Sequence, residues 1–331
     1  MTSASDVPRP VGLGTWPTPL EPMPRLARSL GLGPDDLWVK RDDLTGLGGG
    51  GNKVRKLEWL CGAALAGGAT HLVTTGAPQS NHARLTAAAG ARLGLETVLV
   101  LAGTPGAPAR GNLTLDALFG ATVVWAGERA GAELTAAAGE VAARLRAEGA
   151  VPALIPFGGS SALGARGSAV CGRELLAQAP EVDTVVVALG SGGTMAGLVQ
   201  VLGPGRVLGV HCGAVPDPAA TVSAFVSELS GADCPPDALR LRLDQVGQGY
   251  GALTAPVTDA LDRTARTEGI VLDPVYTGRA MAGLIAAVED GHITRGSRTV
   301  FVHTGGLPGL FGHTAALEAA ASDLATRTRP L

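Results

Sequence analysis

The stretch GGGNKVRKLE, residues 49–58, decides how the rest of the chain is read. It carries Lys53 and Lys56. With Lys40 these are the only lysines among 26 basic residues; every other one is arginine. Arginine can hold a phosphate, but it cannot lose its proton and attack a carbonyl. A lysine amine can, and it can form a Schiff base. A basic cluster on a helix face is the simpler reading, and it is the one expected for Lys56. The neighbours of Lys53 argue otherwise. Gly48 to Gly51 give a backbone that can pass close to a ligand, and Asn52 is expected to cap a helix N-terminus. A lysine just inside a helix start, behind four glycines, suits a cofactor that carries an aldehyde and a phosphate.

Outward from this stretch, strands and helices alternate. Strands are expected at 37–41, 71–75, 96–101, 121–126, 151–156, 182–189, 206–212 and 298–304. Helices are expected at 22–30, 52–67, 80–93, 112–119, 132–148, 162–178, 194–202, 217–230 and 254–268, with one more after the turn at 273–278. The strands are short, β-branched and apolar on both faces, as in a parallel sheet covered by helices. The class is therefore α/β, doubly wound. Periodicity leaves open whether there is one sheet or two.

The 331 residues, 46% hydrophobic, are enough for a large core and two subdomains. A net charge of −3 gives no electrostatic footprint for nucleic acid or an anionic membrane. Cys61, Cys171, Cys212 and Cys234 are scattered without a CxxC pair, so no metal site is expected and reduced thiols in the cytoplasm are. MTSASDVPRPVGLGT, residues 1–15, has no basic region followed by an apolar run, and no signal peptide is expected.

In open α/β sheets ligands bind at the carboxyl ends of strands, and four strand exits or turns carry unusual residues. GAPQSNHAR (76–84) places Ser80 or Asn81 as the cap of the next helix, whose free N–H groups favour an anion. An isolated Ser-Asn would be read as an ordinary cap. Gly190-Ser191-Gly192-Gly193-Thr194 is a glycine-rich turn feeding a helix, a phosphate-binding arrangement that matches neither a Walker A loop nor GxGxxG. His303-Thr304-Gly305-Gly306 and Asp273-Pro274-Val275-Tyr276-Thr277-Gly278 are the other two. The chain's two tyrosines, Tyr250 and Tyr276, both sit in Gly/Pro-rich loops. There a phenol either packs half-exposed or works on a carboxylate or a proton.

Taken in order, these motifs resemble the pyridoxal-phosphate enzymes of fold type II, the tryptophan-synthase-β-like fold. Within them the chain resembles the D-cysteine desulfhydrase / 1-aminocyclopropane-1-carboxylate deaminase family. The carrying segments are TPLE (18–21), WVKRDDLTGLGGGGNKVRKLE (38–58), TTGAPQSNHARLTAAAGARLGL (74–95), GGSSALGARG (158–167), ALGSGGTMAGL (188–198), GYG (249–251), LDPVYTGRAMAGL (272–284) and FVHTGGLPGLFG (301–312).

The resemblance implies a large domain from 1–52 and 166–331, a small inserted domain from 53–165, and pyridoxal 5'-phosphate in the cleft between them. It implies that Lys53 is the Schiff-base lysine, with Asn52 beside it. Asn81 would contact the ring's phenolic oxygen, and Gly190, Ser191, Gly192, Gly193 and Thr194 would hold the phosphate. Thr304, with Thr277 nearby, would sit by the pyridine nitrogen. Ser80, with Asn81 and His82, would receive the substrate carboxylate, and Tyr250 and Tyr276 would face the substrate. A homodimer acting on a small amino acid is also implied.

The implied reaction is β-elimination, with Lys53 as the base for the α-proton and a tyrosine as its rival. From D-cysteine it would give pyruvate, ammonia and hydrogen sulfide. In the deaminases of this family Glu follows the DPVY tyrosine and Leu replaces the Thr of HTGG. This chain has Thr277 and Thr304, which do not supply a charge at the ring nitrogen, so desulfhydrase is favoured over deaminase. An L-cysteate sulfo-lyase, or a C–S lyase on an S-substituted cysteine, is the rival within this chemistry. The former needs extra cationic side chains in its pocket. A non-catalytic binding module would leave the lysine cluster unexplained.

Overall fold

A computed structural model describes residues 8–106 and 109–329; part of the N-terminal stretch read for a signal peptide lies outside them. The strands are β1 (Leu20–Pro22), β2 (Leu37–Lys40), β3 (His71–Gly76), β4 (Glu96–Leu101), β5 (Thr122–Trp125), β6 (Pro152–Leu154), β7 (Thr184–Leu189), β8 (Val207–His211), β9 (Arg240–Arg242) and β10 (Thr299–Val302). They form two sheets. One has six strands in the order β1-β2-β10-β7-β8-β9, and the other four in the order β5-β4-β3-β6. All pairings are parallel except β1 with β2.

The helices are α1 (Pro24–Ser29), α2 (Lys53–Ala66), α3 (Asn81–Leu93), α4 (Asn112–Leu118), α5 (Gly131–Ala147), α6 (Ala162–Gln178), α7 (Gly193–Leu202), α8 (Pro218–Ser230), α9 (Ala255–Glu268), α10 (Thr277–Glu289), α11 (Leu307–Leu310) and α12 (Thr314–Arg327). Burial explains the continuous apolar runs. Every residue of β7 and β10 is buried, with Val186 and Phe301 in the core on one face of the large sheet and Val185, Val187, Val300 and Val302 in the core on the other. The small sheet is likewise covered on both sides, with Val73 packed against α5 and Leu72 against α2.

Four elements depart from the sequence expectation, one of them the four-residue helix α11. β1 and β9 are three-residue edge strands, too short to show alternation. α12 was not expected after the strand at 298–304; only Ala316 in it is buried, so no apolar stripe marks it. None of the described helices is long and apolar enough to cross a membrane.

A buried ion cluster ties the chain's first strands to α2 and α6. Arg55, two residues into the helix from Lys53, donates to both Asp42 oxygens and both Glu174 oxygens at 2.8 Å. Its guanidinium also stacks on Trp16, 4.1 Å from the ring centroid. Lys40 joins through Glu174 at 2.7 Å. Lys53 is thus carried on a helix whose first turn is clamped from below.

Candidate active site

The carboxyl ends of β3 and β7 open onto one cavity of about 200 Å³, lined by Lys53, Ser80, Asn81, His82, Ser191, Tyr250 and Tyr276 among others. A narrower extension shares Lys53, Ser191 and Tyr276. It adds Asn52, Lys56, Gly190, Gly192, Thr194 and Thr304. Of the residues to which the resemblance gives a site role, all but Gly193 and Thr277 line one or both spaces.

Lys53 is the first residue of α2. Its Nζ makes no hydrogen bond among the described residues and lies 5.1 Å from the centroid of the Tyr276 ring. Burial pulls its pKa down to about 8, with Arg84 adding to the effect and Asp273 opposing it. A neutral amine is therefore accessible near physiological pH, as a nucleophilic lysine requires. Asn52 precedes it but does not cap the helix with its side chain. Its Nδ2 instead donates to Thr194 Oγ1 at 2.8 Å, joining the starts of α2 and α7.

Lys56 corrects the sequence reading. It is not on a solvated basic face but almost fully buried. Its Nζ donates to Ser160 Oγ at 3.0 Å and to the Gly158 carbonyl at 3.2 Å. Burial, then the charge of Lys53, pushes its pKa well down. Ser160 Oγ also accepts from the Gly193 N–H at 3.2 Å and shares a 2.7 Å hydrogen bond with Ser191 Oγ. Lys56, Ser160, Ser191 and the N-terminus of α7 therefore converge on one point. Ser160 and Lys56 were missed as functional residues, although FGGSS (157–161) leaves the β6 strand end with the same Gly/Ser chemistry as 190–194.

Ser80 caps α3, its Oγ accepting from the Ala83 N–H at 3.1 Å. The first-turn amides of Asn81 and His82 have no partner within the helix. They and the Ser80 hydroxyl stand together at the cavity. His82 lines the same cavity. Thr74 Oγ1 spends its proton on the Ile155 carbonyl and so accepts from His82 Nε2–H at 2.9 Å. Burial takes the ring to a pKa of about 3, leaving it neutral, with Nδ1 buried and unpartnered.

Tyr250 and Tyr276 share a short hydroxyl–hydroxyl hydrogen bond, their rings 6.0 Å apart and inclined at 73°. Burial raises both phenols, Tyr250 to about 12, so each is a proton donor and not a phenolate at neutral pH. Gly190 lets Tyr276 lie against the β7 strand end, since a Cβ there would stand 2.9 Å from the ring.

Thr277 is a second correction. It was expected beside Thr304, but it lines neither space. Its hydroxyl donates to Asp273 Oδ1 and accepts from the Asp273 N–H, each at 2.7 Å. Asp273 also takes the Val275, Tyr276 and Thr277 amides, so this side chain belongs to the turn that starts α10. Thr304 does line the extension, and its hydroxyl makes no hydrogen bond among the described residues. Arg129, at the start of α5, was not singled out in the sequence. It is exposed, lines the larger space and forms no ion pair among the described residues.

The chain belongs to the family of pyridoxal-phosphate-dependent enzymes, whose model matches residues 11–305. A protein of Pyrococcus abyssi with the provisional name 1-aminocyclopropane-1-carboxylate deaminase is 40% identical over 89% of this chain and 91% of its own length. A D-cysteine desulfhydrase of Klebsiella pneumoniae is 41% identical over 90% and 94%. A crystal structure described as an ACC deaminase homologue superposes with a TM-score of 0.85 at 36% identity, covering 95% of this chain and 97% of that one. Within fold type II, this is a pyridoxal-phosphate-dependent enzyme of the deaminase/desulfhydrase group.

The residues present fit the cofactor. Gly192 has φ +87° at the entry to α7, a conformation that a β-branched residue resists. A Cβ on Gly193 would stand 2.7 Å from Ser160 Oγ and 3.2 Å from Lys56 Nζ, filling the point where the donors converge. Backbone amides at a helix start, two serines and the amine of a buried lysine, whose charged form an anion would favour, make a donor set for a phosphate. The unpaired amine of Lys53 faces the same space.

Proposed function

We propose that this enzyme is a D-cysteine desulfhydrase, converting D-cysteine and water to pyruvate, hydrogen sulfide and ammonia. The observation that carries the reading is the absence of any carboxylate among the described residues lining the cavity or its extension, where Thr304 offers only a hydroxyl. Bound pyridoxal phosphate supplies the electron sink for breaking bonds at Cα and Cβ. A neutral ring nitrogen makes that sink weaker, which is sufficient for expelling a thiolate and poorly suited to opening a ring that has no α-proton.

In this proposal Lys56 and the 190–194 turn with Ser160 hold the phosphate, Asn81 faces the ring oxygen and Thr304 the ring nitrogen. Ser80 and the α3 N-terminus bind the substrate carboxylate. With cofactor and substrate bound, Lys53 Nζ would serve as the general base for the Cα proton. The Tyr250–Tyr276 pair, protonated at neutral pH, hands a proton to the departing sulfur. The cavity's apolar side, from Leu134 and Phe157, limits water at the reacting carbons.

Arg129 supports a second reading, a substrate with an anionic β-substituent such as L-cysteate, because it brings an unpaired guanidinium to the cavity. One panel separates the readings. D-Cysteine is expected to give sulfide and pyruvate. Sulfite from L-cysteate at a higher kcat/KM selects the second reading. Rapid 2-oxobutyrate from 1-aminocyclopropane-1-carboxylate, with no sulfide from either cysteine enantiomer, overturns the first.

We also propose 53–165 as the smaller domain, a homodimeric assembly and a cytoplasmic location. Four unpaired, buried cysteines support the last. Sedimentation of the holoenzyme tests the assembly.

A further inference from the structure

Asn112 and Arg84 lie outside the residues that touch the cavity, yet they decide which atom Asn81 shows to it. Arg84 on α3 is fully buried. Its Nε donates to Asn112 Oδ1 at 3.1 Å. A guanidinium has donors only, and burial lowers this one only to about 10, so it stays cationic at neutral pH. The oxygen of Asn112 must therefore face Arg84. The Asn112 Nδ2 is left to donate, and it does so to the Gln79 carbonyl and to Asn81 Oδ1, each at 2.9 Å. With its oxygen turned toward Asn112, Asn81 presents its NH₂ to the cavity it lines. That NH₂ has no other partner among the described residues. The orientation of each amide follows from a donor-only group at one end and a backbone carbonyl in the middle, not from choosing between like-shaped atoms.

The same guanidinium donates through Nη1 to the carbonyls of Gly48 and Gly50, at 2.6 and 3.0 Å, in the loop that leads to Lys53. One buried cation thus fixes both the loop before the reactive lysine and, through Asn112, the polarity of Asn81.

We infer that Arg84 and Asn112 form a polarity relay, two positioning residues that keep Asn81 a donor toward the cofactor's ring oxygen. This rests on the reading that Asn81 faces that oxygen. A donated hydrogen bond favours the ionised oxygen, and an acceptor in its place disfavours it.

The test compares Asn112→Asp, which keeps the shape and reverses the polarity, with Asn112→Ala, which removes the relay. Pyridoxal phosphate is titrated into each apoprotein, and the pH midpoint of the bound cofactor's visible band is recorded. The relay predicts roughly tenfold weaker cofactor affinity and a midpoint shift of about one unit for Asn112→Asp. It predicts a smaller change for Asn112→Ala. A packing role predicts the opposite order, and that order overturns the proposal. If Asn112→Asp does not fold, Asn112→Ala decides: wild-type affinity and midpoint overturn the relay. Asn81→Asp separates the two layers of argument. If it leaves the band unmoved, Asn81 does not face the ring oxygen, and the reading fails together with the relay. If it moves the band while both Asn112 variants leave it alone, only the relay fails.

Discussion

Lys40 donates all three ammonium protons, to the Thr18 carbonyl, a Glu174 carboxylate oxygen and the Gln178 amide oxygen, each at 2.7 Å. Lys53 donates none among the described residues. Lys56 stands between them, fully inside the protein but bonded only to a serine and a carbonyl, both neutral. The ion cluster around Lys40 and Arg55 is electrostatically closed, with Asp42 and Glu174 answering both cations. The cleft is open: it carries two lysines with no carboxylate among the described residues that line it. Burying a lysine with no carboxylate beside it either costs several kcal/mol or drives the amine toward its neutral form, the direction in which both pKa values move, and a fold retains that cost where a ligand offsets it. In the proposed function a bound phosphate would answer Lys56, and Lys53 would carry the cofactor.

This contrast sorts the expected effects of breaking each part. Lys53→Ala should lower pyruvate formation at least about 10³-fold while leaving the urea midpoint of the apoprotein near wild type. A variant that loses its fold instead would assign Lys53 to the scaffold. Glu174→Ala should do the reverse. It leaves buried Lys40 without a carboxylate and Arg55 with Asp42 alone, at a cost of about 3–5 kcal/mol in unfolding free energy, and molecules that still fold should keep the cofactor's spectrum.

Lys56→Ala should weaken cofactor binding roughly 10- to 100-fold, the worth of one charge-assisted hydrogen bond set. Excess cofactor should restore most of the turnover. Unchanged affinity would remove Lys56 from the phosphate site. The smallest effect is one of pH. Lys53 in the apoprotein has its pKa near 8, lowered by burial, so its charged form dominates below that pH and its nucleophilic form above. Modification of the apoprotein by pyridoxal should rise through a midpoint near pH 8, and Lys53→Met should abolish that rise. A midpoint near the ordinary lysine value of about 10.4 would mean that the amine is not desolvated.

Much of the site was legible because its signals are local. Lys53 behind four glycines, Ser80 at a cap, and the glycine turn before α7 each sit at a strand exit, and a parallel sheet brings strand exits together. Lys56 was misread for a physical reason. The sequence of α2 says which residues share a helix face, but not that FGGSS from β6 covers the face carrying Lys56. Thr277 was misplaced because its partner is local. Asp273 takes three turn amides and the hydroxyl four residues on, a side-chain-to-backbone pattern that DPVYT announces and that competes with any distant role. Arg129 and Asn112 come from elements whose neighbouring residues signal no site, and Arg84, though inside GAPQSNHAR, shows in sequence neither its bond to Asn112 nor its hold on the 48–50 loop. In the fold, the buried strands were readable from apolar runs, whereas α12, with one buried residue, had no stripe to find.

Borohydride reduction of the holoenzyme, followed by proteolysis and peptide mapping, tests the central claim directly. The unpaired lysine of the cleft should be the covalent one, so the reduced cofactor should appear on the peptide containing Lys53 and at that residue alone. Label at Lys56 or Lys40, or no label in a protein that binds the cofactor, would contradict the account.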